Sequence, residues 1–508
     1  MLWIVALFAG TGHAATVDAF SCAAQPDNTL RLDCQGTTSD PVRARVRYWE
    51  AGSGRADTTP WGPSQTVHDT VLWGLKGGRS YSAVLQIQDP KTMSMVNGPV
   101  VSVTTVAPTE PPFDSLILRH SVRPGATPTT PYVVIPVGCM ASEALVIVDT
   151  ADGEVVWYQA LPDGGATVTA IAPRGQGGLL VSVDQRALYE IALDGTITRS
   201  IDFGAAGECT GGTGPCPHHE VLQAGGSTWV MTTIEDSASY DPMGLSGCPF
   251  KRRYVVDQIR RYDAAWATLD TWSLADFGYA PDVDPGPDFD PASPSPGCSG
   301  AYWQGVMGTP DAPIDWTHTN AMDIQPGPTA YLSVAQWNQV AKVDLATSSR
   351  VWTLHGMDPA YSSFDVPLAV SPSILENDDS RFRGQHHVQW HRGALWMLDN
   401  SGGSRTRALR IALDEVGMTG EITDVYTVVD DDGGSYAKPA GMRCSSRGNA
   451  DPLPSGNVLS SCPGAQATME LDASDGTVAA GPVWFIEATC AFSSAWGFYR
   501  TAPLSALR

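Results

Sequence analysis

A unit that recurs six times constrains this chain more than any other feature: a strand ending near Asp, a turn, then a strand that often ends in Trp. The copies are LVIVDTADGEVVWYQ, LYEIALDGTITRSI, IRRYDAAWATLDTWSL, VAKVDLATSSRVWTL, ALRIALDEVGMTGEITDVYTV and ATMELDASDGTVAAGPVWFI, anchored at Asp149, Asp194, Asp263, Asp344, Asp414 and Asp472. The anchors lie 45 to 81 residues apart, and a four-stranded propeller blade takes ~40 to 45 residues, so the longer intervals carry insertions. Further strands with their own turns precede the copies, among them GGLLVSVDQ, TAYLSVAQW, GALWMLDN and GNVLSS. A single twisted blade cannot bury both of its faces, so six blades in a ring are the simplest account, with two packed sandwiches as the alternative. The expected fold is all-β, a six-bladed β-propeller over residues 114–508 preceded by a smaller domain.

Composition agrees with a turn-rich β-protein. There are 51 Gly and 38 Pro in 508 residues, only 17% charged residues, and 43% hydrophobic residues including 16 Trp. Long helical bundles and global disorder are excluded. A formal charge of −23 with 31 scattered Lys and Arg argues against a nucleic-acid partner. The apolar run WIVALFAG followed by TGHA reads as a leader over residues 1–14, cut after Ala14 with Gly12 at the −3 position. No later stretch reaches the ~18 apolar residues of a membrane span, so the expected location is periplasmic or secreted. Ten Cys without a CxxC pair read as disulfides rather than a metal site. The local pairs expected are Cys22 with Cys34, Cys209 with Cys216, Cys248 with Cys298 and Cys444 with Cys462.

Residues 16–106 alternate as short strands, RARVRYWE and YSAVLQIQD among them, and predict a small β-sandwich. The stretch VLWGLKGGRSY, with Trp73, Leu75, Gly78 and Tyr81, resembles the fibronectin type III pattern, which implies a corner tyrosine bonded to nearby backbone. APTEPPF, residues 107–113, is a Pro-rich linker. The longest insertion carries Asp282, Asp284, Asp288 and Asp290. Four prolines lie within residues 281–291 and no Glu closes the loop, so a solvated acidic loop is the commoner outcome than calcium.

Three segments place His at the start of a strand that leads into a blade: HHEV at His218 and His219, WTHTN at His318, and QHHVQWH at His386 and His387. Counting back from the following turn, His219, Asn320 and His386 occupy equivalent places. The innermost strand of a blade lines the central channel, so these residues are expected to converge there. Strand alternation puts His318 and Asn320 on one face and turns His386 away from His387 and His391. That weakens a zinc reading, and no cofactor or metal is expected; GxSxG and HExxH strings do not occur.

The DWTHTN run at 315–320, the RGQHHV run at 383–388, HHEV at 218–221 and VWFIE at 483–487 resemble the bacterial arylsulfotransferase family in motif and order, over residues 114–508. The resemblance implies transfer of a sulfuryl group from an aryl sulfate donor to a phenolic acceptor without a nucleotide sulfate. It implies that His386 is transiently sulfurylated, while His318, Asn320 and one of His218 or His219 donate hydrogen bonds to the sulfuryl oxygens and the leaving phenolate. A neutral imidazole is a good nucleophile near pH 7 because its pKa is ~6.5. The chain departs from the family pattern where SVAQWNQV places Gln336 in the position of an Arg, and Gln offers no permanent charge to an oxyanion. Arg383, Arg405 or Arg443 are the expected substitutes, and Ser493, Ser494 and Thr501 are candidates for a family Thr. The alternative to an enzyme is a catalytically decayed propeller that binds a ligand or partner. Oligomeric state is not legible.

Overall fold

In the computed structural model of the chain the described residues are 15–89, 93–109, 112–139, 142–162, 167–175, 177–183, 186–204, 216–238, 252–280, 314–356, 362–364, 382–400, 406–429, 444, 447–472, 482–490 and 499–507. The leader, the Asp282–Asp290 loop, Cys209, Cys248, Cys298, Arg405, Arg443, Ser493 and Ser494 lie outside them. Two compact units divide the chain, one holding Met1–Thr109 with Glu154–Tyr158 and the other Glu110–Gly153 and Gln159–Leu507.

The first unit is built on one long strand, Leu32–Glu50, that serves two layers. Its first half pairs with Val17–Ala24 and Gln65–Leu72, its second half with Ser80–Gln88 and Asp57–Thr58. The register slips between Thr37 and Val42, a stretch containing Pro41, whose missing N–H cannot join a ladder. Alternation turns Leu32, Cys34, Val42, Ala44, Val46 and Tyr48 inward. The Tyr81 hydroxyl accepts a hydrogen bond from the Lys76 N–H at 2.8 Å, the corner tyrosine expected from the sequence.

The second unit is a six-bladed β-propeller whose blades are antiparallel four-stranded sheets, the third also carrying the short parallel strand Ile314–Asp315. The second blade runs Val168–Pro173, Leu179–Val183, Ala187–Ile191 and Ile197–Asp202; the third Cys216–Ala224, Ser227–Ala238, Arg252–Tyr262 and Thr268–Ser273. The fourth runs Thr319–Gln325, Thr329–Val334, Gln339–Asp344 and Ser349–His355; the fifth His386–His391, Ala394–Asp399, Thr406–Asp414 and Thr419–Val429. In the sixth, Asn449–Pro452, Val458–Cys462, Ala467–Leu471 and Pro482–Cys490 are extended by an outer fifth strand, Leu116–Val122. The first blade draws its inner strand, Ala502–Leu504, from the far end of the chain and pairs it with Tyr132–Cys139, followed by Ser142–Asp149 and Val155–Ala160. The two ends of this unit therefore close the ring.

The repeated Asp has a local cause. It sits between the third and fourth strands, and its Oδ1 accepts the backbone N–H two residues on: Asp149 from Ala151 at 3.0 Å, Asp194 from Thr196 at 2.8 Å, Asp263 from Ala265 at 2.8 Å, Asp344 from Ala346 at 2.8 Å and Asp414 from Val416 at 3.0 Å. Such a side-chain turn satisfies backbone donors that the end of a ladder leaves open. Asp472 pairs with Arg123 beside the added outer strand. The disulfides Cys22–Cys34 and Cys444–Cys462 form as expected, while Cys139 pairs with Cys490 and ties the first blade to the sixth. Disulfides of this kind persist in oxidising compartments. No helix among the described residues is long and apolar enough to cross a membrane.

Candidate functional site

The inner strands of successive blades touch one another around the channel, and those of the third, fourth and fifth blades each begin with an irregularity. The ladder slips between Pro217 and Val221, between Thr319 and Ala321, and between His386 and Gln389. His219, His318 and His387 hold φ of 56°, 42° and 55°. Left-handed backbone at a non-glycine costs roughly 1–3 kcal/mol and persists where the surroundings enforce it. These bulges aim side chains at the channel and break simple alternation. His318 lies just before the strand Thr319–Gln325, so alternation does not set its face, and His387 is buried and lines a channel cavity that His386 does not.

The bulges bring the imidazoles of three blades together. His218 and His219 stand 4.6 Å apart between ring centres, His219 and His318 4.9 Å, and Tyr499 lies 5.0 Å from His219 and 6.2 Å from His386. Arg447 and Arg500 sit over the Tyr499 ring at 5.6 and 5.4 Å. Of the three residues expected to converge, His219 and His386 both face Tyr499, with His218 and His318 beside His219, and His219 and His318 are half-buried while His218 and His386 are buried.

His386 is held at both ring nitrogens. Its Nδ1 lies 2.7 Å from Asn400 Oδ1 and 2.9 Å from the Gly384 carbonyl. The Asn400 amide donates to the carbonyls of Cys444 and Arg447 at 2.7 and 3.2 Å, so its oxygen must accept and the His386 proton resides on Nδ1. Nε2 then carries the lone pair, and it accepts the Arg447 N–H at 3.1 Å. Burial lowers the His386 pKa to about 3, with Arg500 and His318 adding to the effect and the bonds to Gly384 and Asn400 opposing it. The ring is neutral at pH 7.

Gln385 pins this strand to the fourth blade, its amide donating to the Gln339 carbonyl at 3.0 Å and its carbonyl accepting the Asn320 amide at 2.7 Å. Asn320, expected to donate to a substrate, thus spends its amide on backbone. Gln336 occupies the short 3-10 turn Ala335–Trp337, half-buried, its N–H on the Thr317 carbonyl at 3.4 Å. Arg383 is exposed, with its backbone N–H on Asp399. Among the described residues, the arginines beside Tyr499 in the cluster are Arg447 and Arg500. Arg500 is buried, its guanidinium on Glu220 and on the Asn320 carbonyl. Thr501 is bonded to Thr468 at 3.0 Å and its N–H to Asn449.

Further along the channel a cavity of about 230 Å³ is lined by Glu220, Asp323, His387, Gln389, Asp451 and Arg500, among others. Burial pushes Asp451 up to about 7 against bonds from Asn449 and Gln389, raises Glu220 and Asp323, and holds His387 well below the usual imidazole range. Among the described residues no cluster of His, Cys, Asp or Glu has the geometry of a metal site.

Sequence reasoning missed Asp257, Asn400, Arg447, Tyr499 and Arg500. Asn400 closes the GALWMLDN strand, and Tyr499–Arg500 stand in AFSSAWGFYRTAPL immediately before Thr501. Asp257, whose Oδ1 lies 2.7 Å from His218 Nε2, is mid-strand with no local signature.

No family model matches the chain, and no curated protein matches it. Among solved structures it is similar to streptogramin B lyase (TM-score 0.32, 10% identity, 74% of this chain and 87% of that one). It is also similar to BamB from Moraxella catarrhalis (0.30, 9%, 68% and 88%) and to the Dos1 propeller (0.30, 10%, 73% and 74%).

Proposed function

We propose that this chain is an arylsulfotransferase-like enzyme, periplasmic or secreted, that moves a sulfuryl group from a phenolic sulfate ester to a phenol through a sulfohistidine, without a nucleotide donor. The observation that carries the reading is the meeting of imidazoles from three blades beside Tyr499 and two arginines in one channel. In this reading His386 Nε2 attacks sulfur, since burial keeps the ring neutral and Asn400 fixes the tautomer; the S–N bond forms as the S–O bond to the aryl group breaks and its electron pair leaves on the phenolate. The attack exchanges the Arg447 N–H for the sulfuryl group, and the released amide then lies beside the sulfuryl oxygens. Preorganised donors of this kind lower a barrier by roughly 3 kcal/mol each. Arg447 and Arg500 bring the charge that Gln336 lacks.

One observation favours a second reading, a decayed propeller that only binds: the His386 lone pair is already engaged by Arg447. Intact-mass spectrometry of the full chain after exposure to a chromogenic aryl sulfate separates the two. Wild type is expected to gain one sulfuryl unit mapping to the His386 peptide, and His386→Ala to gain none. An unmodified wild type that still binds aryl ligands establishes the binding module instead.

A further inference from the structure

The first unit carries a row of positive charge on one open face. Arg43, Arg45 and Arg47 alternate along the second half of the long strand Leu32–Glu50, between the inward Val42, Ala44 and Val46. Alternate residues of a strand share a face and stand about 6.7 Å apart, so the three side chains form one outward row. Arg43 and Arg47 are exposed and Arg45 is half-buried. Among the described residues no carboxylate pairs with any of the three, and Glu50 at the end of the strand is engaged by Arg79 at 3.9 Å. That is unusual in a chain with 54 acidic and 31 basic residues, in which Arg123, Arg174, Arg407 and Arg500 each meet a carboxylate.

Tryptophan holds these arginines instead. Arg43 and Arg45 lie 5.9 and 4.6 Å from the centre of the Trp61 ring, and Arg47 lies 5.5 Å from that of Trp49. Backbone on either side fixes Trp61 over the strand: the Thr59 N–H donates to the Val46 carbonyl at 2.9 Å and the Gly62 N–H to the Ala44 carbonyl at 2.8 Å. Arg45 Nε donates to Gln86 Oε1 at 3.0 Å, and the Gln86 amide donates to Asn97 Oδ1 at 2.9 Å. An amide row therefore crosses the sheet beside the cations, with Gln88 paired opposite Arg43. An indole face attracts a cation without neutralising it, and a guanidinium keeps its N–H edge for an oxyanion.

We infer that this face of the first unit is a docking surface for an acidic polysaccharide, whose carboxylates meet the arginine row and whose hydroxyls meet Gln88 and Asn97. The chemistry separates this occupant from others. Nucleic-acid bases need a bare aromatic face to stack on, and here guanidinium groups lie over the indoles. A lipid surface takes a continuous apolar face, whereas exposed Asn97 separates Met95 from Val100. An extended peptide adds to a sheet edge through main-chain bonds, and the edge strand Met95–Thr104 carries Pro99, which has no N–H to give. The binding is independent of the chemistry in the propeller channel.

The test titrates the full chain with polygalacturonate at low ionic strength in a calorimeter, beside neutral dextran. Wild type is expected to bind the first and not the second, with affinity falling as salt screens the contacts. Combining Arg43→Gln, Arg45→Gln and Arg47→Gln should weaken binding about 10- to 100-fold, the loss expected of three exposed ion contacts. Combining Arg55→Gln, Arg199→Gln and Arg392→Gln, all exposed, changes the net charge equally and should leave binding intact. Equal loss in the two triple variants overturns the site, as does a wild type that ignores polygalacturonate. Hydrogen exchange of wild type reads the site without any variant: polygalacturonate is expected to protect segments 41–50 and 57–62, and protection confined to the propeller overturns the inference. Binding of phosphatidylglycerol vesicles, polyglutamate or a single-stranded oligonucleotide through these arginines, with none of polygalacturonate, overturns it as well.

Discussion

At His386 burial of a neutral imidazole is a drain on stability in acid. The buried ring binds fewer protons than the unfolded chain between its ordinary value of 6.5 and about 3. Its contribution is therefore present above pH 6.5 and is lost as pH falls through that window. Asp451, raised to about 7 from 3.8, works in the opposite sense and loses stability as pH rises between those values, so a raw pH profile mixes the two. A variant comparison isolates the imidazole. Relative to His386→Gln, wild type should lose roughly 2 to 3 kcal/mol of unfolding free energy between pH 6.5 and 4.5. Urea titrations of both proteins at the two pH values measure this, and parallel curves contradict it. The histidines themselves are legible in the sequence because inner-strand starts recur at a countable place. Their partners are not, because Asn400 reaches His386 across a blade hairpin and Arg447 from the next blade.

Strands and turns carry the part of the fold that local chemistry dictates. Five of the Asp turns close on a hydrogen bond two residues away, which is why the copies can be counted along the chain. The join between the fourth and fifth blades is less visible. Gly356 ends the fourth blade with its N–H on the Asn338 carbonyl at 2.9 Å and its carbonyl accepting the Phe382 N–H at 3.3 Å. A Cβ there would come within 2.1 Å of the Phe382 carbonyl oxygen. Backbone cannot yield as a side-chain tip does, so Gly356→Ala should destabilise the chain by roughly 1 to 3 kcal/mol. It should also displace the Gln385–His386 segment that Phe382 leads into. A lowered urea midpoint together with a weakened sulfuryl adduct is the expected pair of results, and an unchanged midpoint counts against the close approach.

Closure belongs to the whole propeller. The inner strand of the first blade, Ala502–Leu504, and the bond between Cys139 and Cys490, 351 residues apart in sequence, join the two ends of the ring. Cross-linking so long a loop restricts the unfolded chain heavily, so replacing both cysteines with serine should cost about 3 to 5 kcal/mol. The midpoint of denaturant unfolding checks it, and a shift near zero would show that strand pairing alone closes the ring. The same closure delivers Tyr499 and Arg500 to the histidines, since both precede that inner strand; Arg500 reaches Glu220 across 280 residues of sequence. The chain's own sequence determined the β class, the six-fold period, the corner tyrosine of the first unit and the histidines of the inner strands. Each of these rests on spacing or on bonds between near neighbours. Only the tertiary structure decided which arginines stand in the channel, that Asp257 backs His218, that Asn400 and Arg447 hold His386, and that Cys139 meets Cys490. Those contacts join segments whose separation leaves no periodic trace, and they exist only once the ring has brought its blades around one axis.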